Sequence, residues 1–160
     1  MTEQELIDIF TKLGAPDPEW WAKSHLRDGF QLTEFLLLRG LWKTAFSAES
    51  TEWIDSFLKT APEDELSSLM KEVLNAGITK KQLAKLSRLM QAESLVQVAH
   101  ILDDASAVQE DFCRLTGKEY VEWGVFMIDK ESMEATGPSL GCLDDNFFSL
   151  DPEKPANSKF

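Results

Sequence analysis

Two histidines, two cysteines and a set of acids late in the chain are the residues whose types could do chemistry. His100 has Asp103 and Asp104 three and four positions on, a spacing that puts all three side chains on one helix face. Such a triple could hold a divalent metal or orient an imidazole beside a carboxylate. Three ligands from one helix make a poor closed site, and no second histidine or Glu-x-x-His partner accompanies them. The simpler reading is a histidine at a helix end beside its own acids. His25, near the end of a Trp-rich segment, suits a helix C-terminus, where a cation interacts well with the dipole. Cys113 precedes Arg114, whose charge would lower a thiol pKa, but no base is tied to it by sequence, so a buried structural thiol is the better reading. Asp144 and Asp145 stand just before Phe147 and Phe148. Aromatic rings in an acidic surround can anchor a basic partner; equally, the two rings can pin the C-terminus to a helical core. Lys81, Lys85 and Arg88 form a basic stripe at i, i+4 and i+7, which could meet a phosphate or an acidic patch or lie as a solvated helix face. No nucleophile elbow, phosphate-binding Gly-rich loop, dinucleotide fingerprint or His-Glu-x-x-His is present. No catalytic or cofactor-binding residue, and no cofactor, is assigned.

The elements that must position these groups are mostly helical. Thr2 with Glu5 is a capping box, and Leu6, Ile9, Phe10 and Leu13 form one stripe that Gly14 ends. Asp17-Pro18-Glu19 starts a second helix carrying Trp20, Trp21 and Leu26, and Asp28-Gly29 breaks it. The stretch from Leu32 to Phe46 is apolar nearly all round, as in a helix that its neighbours cover. Gly40 within it marks a place where another backbone could approach. Trp53, Ile54, Phe57 and Leu58 make a fourth stripe, after a cap at Ser47 or Ser50. A fifth helix is expected to open at Pro62 with Leu66, Leu69, Met70, Val73 and Leu74 buried. Thr79 with Gln82 launches the longest helix, to about Leu102, with Leu83, Leu86, Met90, Leu95, Val98, Ala99 and Leu102 on its core side. A short helix is expected over 107–115. The pattern then changes to aromatic and β-branched alternation, which predicts a strand at Val121–Ile128 and a partner near Glu134–Gly141. Leu143 to Phe148 is open between a helical turn and a docking strap.

Length and composition bound the class. A chain of 160 residues, 43% apolar and 10% aromatic, is expected to form one domain over residues 1–150, with 151–160 a disordered tail. The net charge of −12 is uneven: residues 1–60 carry −4, 61–100 are neutral, and 101–160 carry −8. An acidic C-terminal third repels a phosphate backbone and suits either solubility or a basic protein surface. The acidic N-terminal stretch Met1 to Phe10 does not read as a signal peptide, so the thiols are expected to be reduced in a cytoplasmic setting. No apolar run approaches the ~18 residues of a membrane span.

The segments Trp123-Gly124-Val125-Phe126, Asp129, Gly141 and Asp151-Pro152, together with Gly14-Ala15-Pro16-Asp17-Pro18-Glu19 followed by Trp20, give the chain a distinctive grammar. It resembles a group of small uncharacterised bacterial proteins, in which a helical domain is followed by a Trp-x-hydrophobic-Phe strand, an acidic turn, a Gly-containing return and a short tail. The resemblance implies a bacterial cytoplasmic protein and brings no activity with it. The expectation is therefore a mainly α, multi-helix domain around a central apolar helix, with a small C-terminal β-hairpin. Functionally it is a non-enzymatic module that binds a protein with a basic surface, for instance a bacterial immunity or inhibitor protein set against a basic toxin. The alternatives are a small carboxylate- or metal-dependent enzyme using His100, Asp103 and Asp104, or an acidic DNA mimic; direct nucleic-acid or membrane binding is not expected.

Overall fold

Helix ends are written into the chain by its small polar residues. In the computed structural model, which describes residues 1–60, 64–119 and 122–153, the first helix, α1 (Glu3–Leu13), opens on the expected capping box: the Thr2 hydroxyl accepts from the Glu5 amide at 3.3 Å, and Glu5 accepts from the Thr2 amide at 2.7 Å. Asp17 caps α2 (Pro18–Asp28), accepting from the Trp20 amide at 3.0 Å. Gly14 and Gly29 close these helices in the left-handed conformation, which costs a residue without a Cβ little. Then follow α3 (Gln31–Trp42), α4 (Glu52–Thr60), α5 (Glu65–Asn75), α6 (Lys80–Asp103), α7 (Glu110–Thr116) and α8 (Leu143–Phe147), with one-turn 3-10 segments at Ala105–Val108 and Phe148–Leu150. The protein is thus mainly helical, with a small antiparallel pair near its C-terminus, β1 (Met127–Ile128) and β2 (Ala135–Thr136), in the register Met127 to Thr136 and Ile128 to Ala135.

Several boundaries differ from expectation. The central helix ends at Trp42 and not at Phe46. The expected start of α5 at Pro62 lies outside the described residues; the helix runs from Glu65, capped by a reciprocal Asp64–Ser67 box. The strand expected from Val121 is confined to Met127–Ile128, and residues 122–126 are irregular; Val121 itself lies outside the described residues, as does the tail beyond Glu153. Beyond the strands the Asp129 amide donates to the Glu134 carbonyl at 2.9 Å in the same register, and the Leu140 amide to the Val125 carbonyl at 2.7 Å, two residues out of it.

The chain packs as two compact units. The first comprises Met1–Trp42 and Leu95–Pro152; the second comprises Lys43–Ser94 with Glu153. The core of the first is aromatic: Phe10, Trp21 and Phe35, from three successive helices, meet with ring centroids 5.3–5.9 Å apart. Trp42 stacks on Phe147 at 4.5 Å and its indole nitrogen donates to the Phe147 carbonyl at 2.8 Å. The core of the second unit is Ile54, Met70 and Ala84, with Trp53, Phe57, Leu58, Leu74 and Leu83 packed against it.

α3 is not covered on all sides. It buries Gln31, Glu34, Phe35, Leu38 and Trp42, one stripe at i, i+3, i+4, i+7 and i+11, and leaves Leu36 and Gly40 exposed. No backbone approaches Gly40: a Cβ built there meets nothing within 4 Å. Gly40→Ala is therefore expected to stabilise the protein by about 0.5–1 kcal/mol, the helix-propensity difference with no steric penalty; thermal unfolding at one pH checks this. Trp42→Ala should cost about 3–5 kcal/mol through the lost stack and cavity. Trp42→Phe, which keeps an aromatic ring and loses the N–H, should cost about 1–3 kcal/mol. Urea titrations separate the two, and a Trp42→Phe protein as stable as the parent would show that the hydrogen bond contributes nothing.

Candidate functional site

The late acids and the histidine on α6 do come together, but not as a metal set. His100 Nδ1 lies 2.9 Å from Asp144 Oδ2, across from α6 to α8. Asp103 Oδ2 accepts from the Asp144 amide at 3.1 Å, while Asp103 Oδ1 is buried without a partner among the described residues. Burial pushes the Asp103 carboxyl up from its ordinary value, and the His100 hydrogen bond holds Asp144 below its own. Asp104 is engaged elsewhere. Its carboxylate accepts from the Ser106 amide at 2.8 Å and from the Ser106 hydroxyl, capping the following 3-10 turn. Among the described residues no three His, Cys, Asp or Glu side chains stand where one ion could hold them.

The other sequence candidates fall into place by burial. Phe147 is fully buried against Trp42, and Phe148 meets both Trp42 and Phe147 edge-on. Of the expected partner-facing group Asp144, Asp145, Phe147 and Phe148, the rings thus pin the C-terminal segment to α3, and only Asp145 is exposed. His25 sits one step from its expected role. Its Nδ1 accepts from the Leu32 amide at 3.4 Å, so it caps the start of α3 as a neutral base, and burial holds its pKa below the ordinary value. The basic stripe loses a member: Arg88 is buried, with Nε 3.0 Å from Glu153 and a nitrogen donating to the Phe46 carbonyl. Lys81 pairs with Glu49 at the surface, and Lys80 with Asp55.

Two concave features have no counterpart in the sequence pattern. The first, in the Met1–Trp42 and Leu95–Pro152 unit, is a polar cleft of about 270 Å³ lined by Trp20, Ser24, Arg27, Asp28, Phe30, Gln31, Glu34, Cys142, Asp145 and Asn146. Glu34, only 1% exposed, accepts from Asn146 Nδ2 at 2.7 Å. Burial pushes its carboxyl up to about 7, against the Asn146 bond and with Asp103 adding repulsion. Gln31, one turn earlier and 4% exposed, donates to Asp28 at 3.1 Å, while its Oε1 has no partner among the described residues. Cys142 holds a left-handed backbone at φ 59°. Burial and the surrounding acids raise its thiol pKa, so the thiolate a nucleophile needs is disfavoured.

The second, in the Lys43–Ser94 unit, is an apolar groove of about 350 Å³ walled by Phe46, Trp53 and Phe57 with side chains of α5 and α6. Leu66, Leu69, Leu86 and Met90, which periodicity assigns to a core, are 53–62% exposed here. The buried positions of α6 are instead Ala84, Arg88, Ala92 and Ala99.

Sequence pattern could not reveal the cleft because Gln31 and Glu34 count as outward-facing in any apolar stripe. Their one signal was spacing: they fall in register with Phe35, Leu38 and Trp42.

Compared with known proteins, the chain matches no family model, no curated protein and no solved structure.

The Glu34 proton has a measurable consequence. A carboxyl whose folded pKa is about 7, against an ordinary 4.5, supports stability in full below pH 4.5 and withdraws that support as pH rises through 7. Glu34→Gln keeps an acceptor for Asn146 and removes the charge. At pH 8 the variant should exceed the parent by about 1–3 kcal/mol, and at pH 4 the two should coincide. Urea unfolding at the two pH values tests this; an equal difference at both would show that folding does not raise the Glu34 pKa.

Proposed function

We propose that the protein is a non-enzymatic protein-binding module whose apolar groove takes a hydrophobic helix or strap of a partner with basic flanks. The observation that carries this reading is the exposure of Leu66, Leu69, Leu86 and Met90 around one concavity. Side chains of this size are normally buried, and a contiguous apolar hollow on a water-facing surface is the common signature of a contact surface. The rim also carries charge of one kind at one end: a smaller hollow that shares Leu66 and Leu69 is lined by Asp64 and Glu65. These acids stand at the start of α5, where they would meet basic residues flanking the inserted segment. The acidity of the whole chain, −12, favours a basic partner by steering its approach. A bacterial immunity or inhibitor protein that covers a basic toxin face is the most concrete form of this reading.

The test is affinity capture from extracts of the source organism with the parent protein and with a Leu66→Glu/Leu86→Glu variant. Both positions are more than half exposed, so the variant should fold with the parent's circular dichroism and melting behaviour. The reading expects a basic protein retained by the parent, lost by the variant, and released as salt rises past the Debye-screening range. If the two proteins retain the same set, the groove is not the contact surface and the reading falls.

A further inference from the structure

The polar cleft on the other unit differs from the groove in chemistry. Its walls carry two carboxyl groups and a buried amide oxygen against one guanidinium, an indole N–H and a hydroxyl. Gln31 Oε1 is buried with no partner among the described residues. Glu34 and Asp145 contribute carboxyl groups. The one cation in the lining, Arg27, is already engaged by Asp28 through contacts of 2.6, 2.8 and 3.0 Å. An anion would therefore meet the carboxyl groups of Glu34 and Asp145, with only the Ser24 hydroxyl and the Trp20 indole N–H beside Arg27 to donate to it. An apolar guest would leave the Gln31 oxygen as it stands, unsatisfied. A cationic donor satisfies both groups. Trp20, 46% exposed, and Phe30 add aromatic surface to the same cleft. A planar cation can donate along its edge to two acceptors on one helix face and stack its flat side on a ring, which a spherical ammonium does less well. A volume of about 270 Å³ suits such a group with a short alkyl stem.

We propose that this cleft recognises a guanidinium group, held by the Gln31 amide oxygen and the Glu34 carboxyl against the aromatic surface of Trp20 and Phe30. The two acceptors lie at i and i+3 on α3, so they share a face. A bound cation favours the ionised carboxyl, so near neutral pH Glu34 gives up its proton as the ligand enters. The inference is independent of the groove reading, and either can fail alone.

The experiment is calorimetry on the full chain at pH 7, in two buffers of different ionisation enthalpy, with butylguanidinium as the probe. The expected result is saturable one-to-one binding with net proton release. Glu34→Gln should weaken binding about tenfold and abolish the proton release, and Gln31→Leu should weaken it several-fold. Butylammonium should bind several-fold more weakly than butylguanidinium. A second arm uses the peptide acetyl-Gly-Arg-Gly-amide. Binding of the small molecule equal to or tighter than the peptide assigns the site to a free guanidine; tighter binding of the peptide assigns it to an arginine of a partner protein. The proposal is overturned if butylguanidinium shows no saturable heat at tens of millimolar, or if binding survives Glu34→Gln unchanged. If Glu34→Gln does not fold, the buffer dependence of the parent decides: binding without proton release also overturns it.

Discussion

The contact between Trp42 and Phe147 joins positions 105 apart in sequence, and the arrangement of the acids depends on it. α8 is five residues long and has no side-chain N-cap. A helix of that length does not hold itself in water, since the nucleation cost exceeds what one turn returns. It is fixed by the Phe147 ring stacked on Trp42 and by the indole N–H on its backbone carbonyl. Once α8 is fixed, Asn146 lies on Glu34 and Asp144 lies between His100 and Asp103. One tryptophan at the end of α3 thus sets the protonation of a carboxyl two turns earlier on the same helix. It does so by delivering the partner and by closing off the water.

Charge is divided between the units as sharply as polarity. Met1–Trp42 with Leu95–Pro152 contains nineteen acidic and seven basic side chains, while Lys43–Ser94 contains eight and seven. The whole net charge of the chain therefore belongs to the unit with the polar cleft, and the near-neutral unit carries the apolar groove. Crowding acids raises the cost of ionising any one of them; at Asp103 burial is the larger cause of the upward shift and Asp144 adds to it, while Asp144, hydrogen-bonded to His100, is held down. The field of this unit repels anions and draws cations toward it.

Helix ends were legible because their chemistry is local. Thr2 with Glu5, Asp17 with Pro18, and Thr79 with Gln82 each place a start within a residue or so, and their hydrogen bonds are present. Gly14 and Gly29 end helices for an equally local reason. The strand was less legible, because alternation over 120–127 marks β-propensity, whereas pairing needs a partner strand in register, and among the described residues two on each side form the ladder. Burial was the least legible. An apolar stripe says that a face avoids water, not that the fold supplies a cover for it. Leu86 and Met90 have the spacing of core residues and lie open. Glu34 and Gln31 have the composition of surface residues and are buried, because Asn146 and Asp28 meet them there. Long-range partners such as Asn146, 112 residues from Glu34, leave no trace in local pattern.

The alanines of α6 have a consequence for that helix's surroundings. Apart from Arg88, the fully buried positions of this 24-residue helix, Ala84, Ala92 and Ala99, carry side chains of a single methyl group. A methyl side chain has no rotamers to adjust. Larger apolar residues there would force strain instead of filling space. The same small face means that α6 removes little apolar area from water when the protein folds. Its larger side chains, Leu86, Leu89 and Met90, remain hydrated in the native state. Their hydration stays in the heat capacity of the folded protein, so the Lys43–Ser94 unit should unfold with a smaller heat-capacity increment than its apolar composition implies. The missing part would appear as a negative heat-capacity change when the groove is covered.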